Sequence, residues 1–359
     1  MNAWERESFI KNYKLKNKII FPPISPNWAL PNGGISQKLL NFYENIAKGG
    51  CGAIIFCGTA ISQEAKGIKY STALYNPSHK EGFIKLVNTI KKYKTIAIIQ
   101  LMHVGGQGNP AFNDTLPVAP SAFFCEATNC HAKELLIEEI EKIRDDFINS
   151  ATLSYESGFD GVELHMAHGY LLHEFVSEFF NQRTDKYGGS LENRLRLIID
   201  IITAIKKKYP NKLIGARISA EDYLDEGITF SKNKEIVPLL EKAGLDYLSI
   251  TAGTYKTGKE KHKAMKKKAF FTYSKALKSI TSLPIISVGK ILNLDEANEQ
   301  LINENCDYVA IGRGMIADPF MVSKYYDNES LVNCIQCDTC SYLRHNKTEM
   351  SCSQRDFEE

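Results

Sequence analysis

Val162-Glu163-Leu164-His165-Met166-Ala167-His168-Gly169-Tyr170 continues an apolar run begun at Gly161 and ends in two imidazoles and a phenol. Leu171-Leu172-His173-Glu174-Phe175 follows at once with helical periodicity. A buried strand that ends in polar groups just before a helix is a common way for an α/β enzyme to present chemistry at the carboxyl edge of its sheet. The H-x-x-H-x-Y spacing then gives two neutral hydrogen-bond donors and one weak acid facing a single pocket. Either histidine alone reads as a satisfied core residue, and the tyrosine as a capping phenol. Three such groups together after a strand read as a candidate active site, made of His165, His168 and Tyr170.

Outward from this stretch the same unit repeats. Short apolar strands are expected at 18–21, 53–56, 95–101, 161–164, 213–218, 246–250, 284–288 and 307–311, the first stopped by Pro22-Pro23. Helical periodicity falls between them, at 37–47, 80–93, 137–156, 194–209, 233–243, 271–280 and 294–302. Eight strands in strict alternation with helices favour a closed (β/α)8 TIM barrel over an open doubly wound sheet. No G-x-G-x-x-G follows the first strand to support a dinucleotide fold. The expected organisation is a barrel over 1–325 and a short cysteine-rich C-terminal extension over 326–359.

Length and composition agree with that size of core. The 359 residues are 43% hydrophobic and 24% charged, as in a globular protein with a large interior. A net charge of +2 is too balanced to imply nucleic acid or membrane as a partner. The polar stretch 1–18 has no signal-peptide core and no apolar run reaches bilayer length, so a cytoplasmic protein is expected. In that compartment the scattered Cys51, Cys57, Cys125, Cys130 and Cys306 read as buried or incidental thiols.

The strand ends form one face, carrying Ser25, Gly58, Gln100, His165, Arg217, Gly253, Gly289 and Gly312. Gly289-Lys290 and Gly312-Arg313 each place a glycine and a cation after the last two strands, where barrels commonly hold a phosphate.

These residues resemble the old yellow enzyme family of flavin-dependent ene-reductases over nearly the whole chain to about Pro319. The likeness rests on Gln100-Leu101-Met102-His103-Val104-Gly105, on 163–170, on Arg217-Ile218-Ser219, on Ile311-Gly312-Arg313 with Asp318-Pro319, and above all on the R-T-D-x-Y-G-G-S-x-E-N-R run from Arg183 to Arg194. The resemblance implies FMN held non-covalently at the barrel mouth, with NAD(P)H as reductant and a small enone-type molecule as substrate. It places Ile24 and Ser25 beside the isoalloxazine, Gly58 and Gly253 in backbone contact, and Gln100 on the pyrimidine edge. Arg217 would face the negative charge of reduced flavin, and Gly289, Lys290, Gly312 and Arg313 would hold the phosphate. His165 and His168 would polarise the substrate carbonyl, and Tyr170 would protonate the α-carbon while hydride reaches the β-carbon. Three positions depart from common family choices: Ser25, Asn27 near the substrate mouth, and Gly106-Gln107, expected to loosen one wall of the pocket.

Cys334-x2-Cys337-x2-Cys340-x11-Cys352 has the clustering of a ligand set. It is similar to the dienoyl-CoA reductase and trimethylamine dehydrogenase branch, which carries a [4Fe–4S] cluster on such a run, ahead of a further FAD and pyridine-nucleotide domain that is not expected in a sequence stopping at Glu359. A cluster fed by a redox partner protein, a structural zinc and a set of free thiols are the three readings. An FMN and iron–sulfur dehydrogenase or electron carrier is the corresponding alternative function, and a homo-oligomer is expected. Lys256, Lys259, Lys261, Lys263, Lys266, Lys267 and Lys268 follow strand six, as a solvated loop or as an attractor of anionic NADPH or acyl-CoA.

Overall fold

The first barrel strand, β1 (Ile19–Phe21), is buried along its length and pairs in parallel with β2 (Ala53–Ala60). The computed structural model describes residues 1–113, 115–257, 269–342 and 347–357. Around the barrel follow β3 (Ile96–Met102), β4 (Gly161–Met166), β5 (Leu213–Ser219), β6 (Tyr247–Thr251), β7 (Ile285–Val288) and β8 (Tyr308–Ala310), which closes back on β1. Every neighbouring pair is parallel and the spatial order is the chain order, so the expected TIM barrel is the observed fold.

The alternation of side chains along each strand sorts residues into two cores. On β4, Val162, Leu164 and Met166 face the surrounding helices, as do Ile214, Ala216 and Ile218 on β5. Ile20, Ala53, Ile55, Ile98, Leu213, Tyr247, Ile286 and Tyr308 fill the barrel itself. Tyr247 reaches across the interior because β5 offers a glycine opposite it: a Cβ on Gly215 would sit 2.1 Å from the Tyr247 ring.

The outer layer includes α1 (Gln37–Lys48), α2 (Lys80–Lys91), α3 (Ile137–Glu156), α5 (Leu191–Lys208), α6 (Phe230–Ala243), α7 (Ala269–Leu277) and α8 (Leu294–Ile302); the short α4 (Leu171–Val176) directly follows β4. Ser36, Ser190, Thr229 and Asn293 start four of them by accepting a hydrogen bond from a first-turn N–H.

Two features lie outside the expected pattern. An N-terminal hairpin (Ser8–Ile10 with Tyr13–Leu15) drives Ile10 and Leu15 into the bottom of the barrel, and Phe9 O accepts from the Tyr308 hydroxyl at 3.1 Å. Between β3 and α3 a three-stranded flap forms from Val118–Ala119, Phe123–Cys125 and Cys130–Glu134.

Beyond α9 (Arg313–Ala317) and α10 (Met321–Asp327), the chain folds back as a strap on the β1 side. Met350 N–H donates to Pro26 O, Asn27 donates to Thr348 O, and Phe357 packs on Trp28. Asn27 also accepts from Tyr70 N–H at 2.7 Å, so it staples strap to barrel. Lys259, Lys261, Lys263, Lys266, Lys267 and Lys268 lie outside the described residues; Lys256 places its ammonium over the Phe179 ring.

Candidate active site at the barrel mouth

Inward positions of β3, β4 and β5 change from apolar to polar as the strands approach their carboxyl ends. Ile98 gives way to Gln100, Gly161 to Glu163 and His165, and Leu213 to Arg217 and Ser219. Strand register sets Gln100 beside Glu163 and Arg217 beside His165. The Gln100 amide donates to Glu163 Oε1 at 2.8 Å, and the buried Tyr247 hydroxyl lies close to the same carboxyl. Burial pushes the Glu163 carboxyl up to about 7, against the opposing pull of Arg217 and Gln100.

His165 is buried, with Nδ1 unpartnered. Burial, then Arg217, holds its imidazole well below the ordinary value, so it is neutral at pH 7. Its ring stands edge-on to Tyr170 at 4.9 Å and to His168 at 5.2 Å. Burial raises the Tyr170 phenol and Arg217 draws it back down.

The turn that carries His168 needs unusual backbone. His168 has φ +64° and Gly169 φ +75°, a conformation held by partners at the ends of β5 and β6 and after β3. The His168 N–H donates to Ser219 Oγ at 3.1 Å, and His168 Nε2 lies 3.0 Å from Thr251 Oγ1. Gln107 donates to both carbonyls, at 2.9 Å to His168 and 2.6 Å to Gly169. Gln107 therefore fastens this wall, contrary to the loosening expected from the sequence.

Gly253 has φ +85°; its N–H donates to Glu221 O at 2.7 Å and its carbonyl accepts from Ser219. Ile24, Gly289, Lys290, Gly312 and Arg313 occupy the opposite arc, after β1, β7 and β8. A Cβ on Gly312 would touch Ile24 at 3.4 Å, and α9 begins there with no side-chain cap on its first-turn N–H groups. Ser25 lines a small cleft with Gly58 and Cys57.

A planar heterocycle rich in acceptors fits this mouth. Arg217 Nε is a buried donor lacking a protein partner. Gly58 offers a bare surface, where a Cβ would come 3.2 Å from Met102 Sδ and 3.5 Å from Gln100 Oε1.

The terminal cysteines give a different result. Among the described residues no group of three or more His, Cys, Asp or Glu is disposed to hold a metal. Cys337 is exposed, its thiol lowered to about 7 by the Ser353 and Thr339 hydroxyls. Cys340 is half-buried and raised to about 11, mainly by burial. Cys352 accepts from Gln354 N–H. Of the expected ligand set Cys334, Cys337, Cys340 and Cys352, Cys337 and Cys352 meet local partners, while Cys340 lies within electrostatic reach of Cys334.

Sequence reading missed Thr251, which bonds the His168 ring, and the holding roles of Ser219 and Gln107, which run through backbone groups. The R-T-D-x-Y-G-G run proves to be a latch. Arg183, buried, pairs with Asp185 and donates to Pro120 O and Leu135 O, both at 2.7 Å, on either side of the flap hairpin 123–134. A Cβ on Gly188 would collide with Arg183 O at 2.2 Å.

Residues 9–331 match the model of the NADH:flavin oxidoreductase / NADH oxidase family. The NADH oxidase of Thermoanaerobacter brockii is 34% identical, over 92% of this chain and 52% of its own length. The NADPH dehydrogenase of Clostridium acetobutylicum is 33% identical, over 87% of this chain and 91% of its own. A 2-naphthoyl-CoA reductase solved with 2-naphthoyl-CoA superimposes with TM-score 0.93 at 26% identity, over 98% of this chain and 57% of that one. The chain thus spans about half of two of these relatives and most of the third. Among the described residues no helix is long and apolar enough to cross a membrane.

Proposed function

The chain belongs to the NADH:flavin oxidoreductase / NADH oxidase family and is an oxidoreductase, and from that premise we propose that it reduces the C=C bond of an α,β-unsaturated carbonyl compound with NAD(P)H, using FMN. The observation that carries this reading is the convergence of neutral His165, His168, the Tyr170 phenol and the Arg217 guanidinium on one mouth. FMN, when bound, would supply the hydride chemistry that links NAD(P)H to the β-carbon of the substrate.

Gln100, Arg217, Gly58 and Gly253 would hold the ring system of the cofactor, with Ile24 and Ser25 beside it. Gly289, Lys290, Gly312 and Arg313 would hold its phosphate. Arg217 brings the fixed positive charge that a reduced, anionic cofactor needs.

His165 and His168 are donors for the carbonyl oxygen. The His165 imidazole, kept neutral, donates without surrendering its proton, and a donor so placed stabilises charge building on that oxygen by roughly 2–4 kcal/mol. Tyr170 keeps its proton at neutral pH and can release it to the α-carbon, where the growing carbanion is a stronger base than phenolate. Arg217 assists by stabilising the phenolate left behind. The conjugated thioester named with the 2-naphthoyl-CoA reductase supports a conjugated carbonyl as the substrate class.

The test is anaerobic. FMN-loaded protein is reduced with one equivalent of NAD(P)H and mixed with 2-cyclohexenone. Rapid reoxidation with formation of cyclohexanone is expected; protein that stays reduced would be an electron carrier for another partner, and the proposal would fail.

A further inference from the structure

The edge strand Phe123–Cys125 of the flap pairs antiparallel with its central strand Cys130–Glu134, with Phe123 opposite Ala132, Phe124 opposite His131 and Cys125 opposite Cys130. Phe124 and His131 stack on the outer face, their rings 4.9 Å apart. Alternation therefore turns Phe123, Cys125, Cys130 and Ala132 to the inner face. Two cysteines directly opposite each other on one face of an antiparallel pair have Cα atoms about 4.5–5.5 Å apart, within the roughly 4.4–6.8 Å that a disulfide spans. Both thiols are free, Cys125 buried and Cys130 half-buried.

We propose that Cys125 and Cys130 are a redox-convertible dithiol that closes to a cross-strand disulfide when a hydroperoxide reaches Cys130. The half-buried thiol is the one a peroxide can meet, and the buried one is placed to resolve it. Cys130 sulfur attacks the peroxide: an S–O bond forms, the O–O bond breaks and, with hydrogen peroxide, one water leaves, giving the sulfenic acid. Cys125 sulfur then attacks Cys130 sulfur: the S–S bond forms, the S–O bond breaks, and hydroxide departs with the Cys125 proton as a second water. Two thiols lose two electrons in all, and the peroxide gains them.

The hairpin tip is joined to the mouth through two aromatic rings. The Tyr255 hydroxyl faces Cys125. Its ring covers Gly169, where a Cβ would come 3.0 Å from Tyr255 Cδ1, and its N–H donates to His168 O at 3.3 Å. The Phe123 ring covers Gly106, where a Cβ would meet it at 2.3 Å, next to Gln107. Drawing Cys125 sulfur towards Cys130 removes it from Tyr255, so the disulfide alters the loop that carries His168 and leaves the strands in place. Its effect falls on substrate affinity, a consequence that rests on the proposed reaction; the disulfide itself does not.

The holoprotein, first reduced with dithiothreitol and desalted, is exposed to stoichiometric hydrogen peroxide, denatured with N-ethylmaleimide and digested with trypsin. Peptide 95–133 has no internal Lys or Arg and contains Cys125 and Cys130 as its only cysteines. It should emerge unalkylated and lighter by two hydrogens, and doubly alkylated if dithiothreitol is restored before the quench. Cys125→Ser protein should yield Cys130 sulfenic acid trapped by dimedone, and Cys130→Ser protein should keep Cys125 alkylatable. Double alkylation of the wild-type peptide after peroxide would overturn the proposal, as would equal oxidation of Cys125 in Cys130→Ser protein. The oxidised form should show a KM for 2-cyclohexenone raised about tenfold and restored by dithiothreitol. A disulfide that forms without moving KM would overturn the link to the mouth and leave the proposed reaction standing.

Discussion

Arg217 and His165 are register partners on adjacent parallel strands, so a permanent cation and a titratable ring share the inner face of the barrel at its mouth. Burial and this cation together keep the imidazole neutral, and the same cation strengthens the Tyr170 acid. Replacing Arg217 with Gln should therefore move the two groups together: His165 titrates at higher pH because the repulsion is gone, and Tyr170 also titrates higher because the attraction is gone. NMR titration of the His165 ring and ultraviolet titration of Tyr170 would check this. A His165 value that fails to rise would show that burial alone sets it.

Tyr170→Phe removes the proton but keeps the ring against His165. Loss of a general acid costs about 10²–10⁴ in rate. The enone half-reaction should slow by that order, while reduction of the loaded protein by NAD(P)H keeps its rate. Equal losses in both half-reactions, followed by stopped flow, would remove Tyr170 from the role of acid.

Glu163 makes stability depend on pH in an unusual direction. Its carboxyl is raised by burial to about 7 in the folded protein, against about 4.3 in the unfolded chain. Between those values the folded state holds a proton that the unfolded chain has released. Stability of the cofactor-free protein should then fall as pH rises from about 4.5 to 7, by about 3 kcal/mol from this group. Glu163→Gln, whose amide oxygen can still accept from Gln100, should flatten that slope. Urea unfolding at pH 5 and pH 8 would measure it; unchanged slopes in the two proteins would refute the assignment.

The barrel was legible because parallel strands are buried on both faces and read as unbroken apolar runs such as Ile54-Ile55-Phe56 and Ile96-Ala97-Ile98-Ile99. Strand ends were blurred where small residues and a bulge interrupt the apolar run, as Cys57-Gly58-Thr59-Ala60 does on β2. The flap and the N-terminal hairpin were not legible, since strands of two to five residues carry too few alternations to register. Gln107 was misread because its partners are backbone carbonyls, which no side-chain pattern announces. Spacing gave the count of terminal cysteines but not the direction of their thiols.

Arg183 tests the latch. Its guanidinium is buried and joins Asp185 to carbonyls on both sides of the flap hairpin 123–134. Arg183→Ala takes the guanidinium from the partly exposed Asp185 and from two buried carbonyls, and should cost about 2 kcal/mol, as leaving buried acceptors unpaired does. The flap should become the first site of proteolytic cleavage, at the 118–134 stretch, before the barrel strands are cut. Mass spectrometry of early fragments would show this, and first cleavage elsewhere would mean that packing of Phe123, rather than Arg183, secures the flap.

Gln107 supplies the last test, because it separates positioning from chemistry. Its amide spans the carbonyls of His168 and Gly169, two successive residues in left-handed backbone, and touches neither imidazole ring by hydrogen bond. Gln107→Ala should release that turn and let the His168 ring drift from Thr251, so a substrate carbonyl loses part of its alignment. The expected result is an enone KM raised about tenfold, with NAD(P)H-driven reduction of the loaded protein unchanged and the pH dependence of turnover retained. Gln107→Glu should not rescue it, since a carboxylate facing two carbonyls repels where the amide donates. If Gln107→Ala lowered turnover at saturating enone and left KM alone, the residue would belong to the chemical step, and the clamp drawn from its two hydrogen bonds would be wrong.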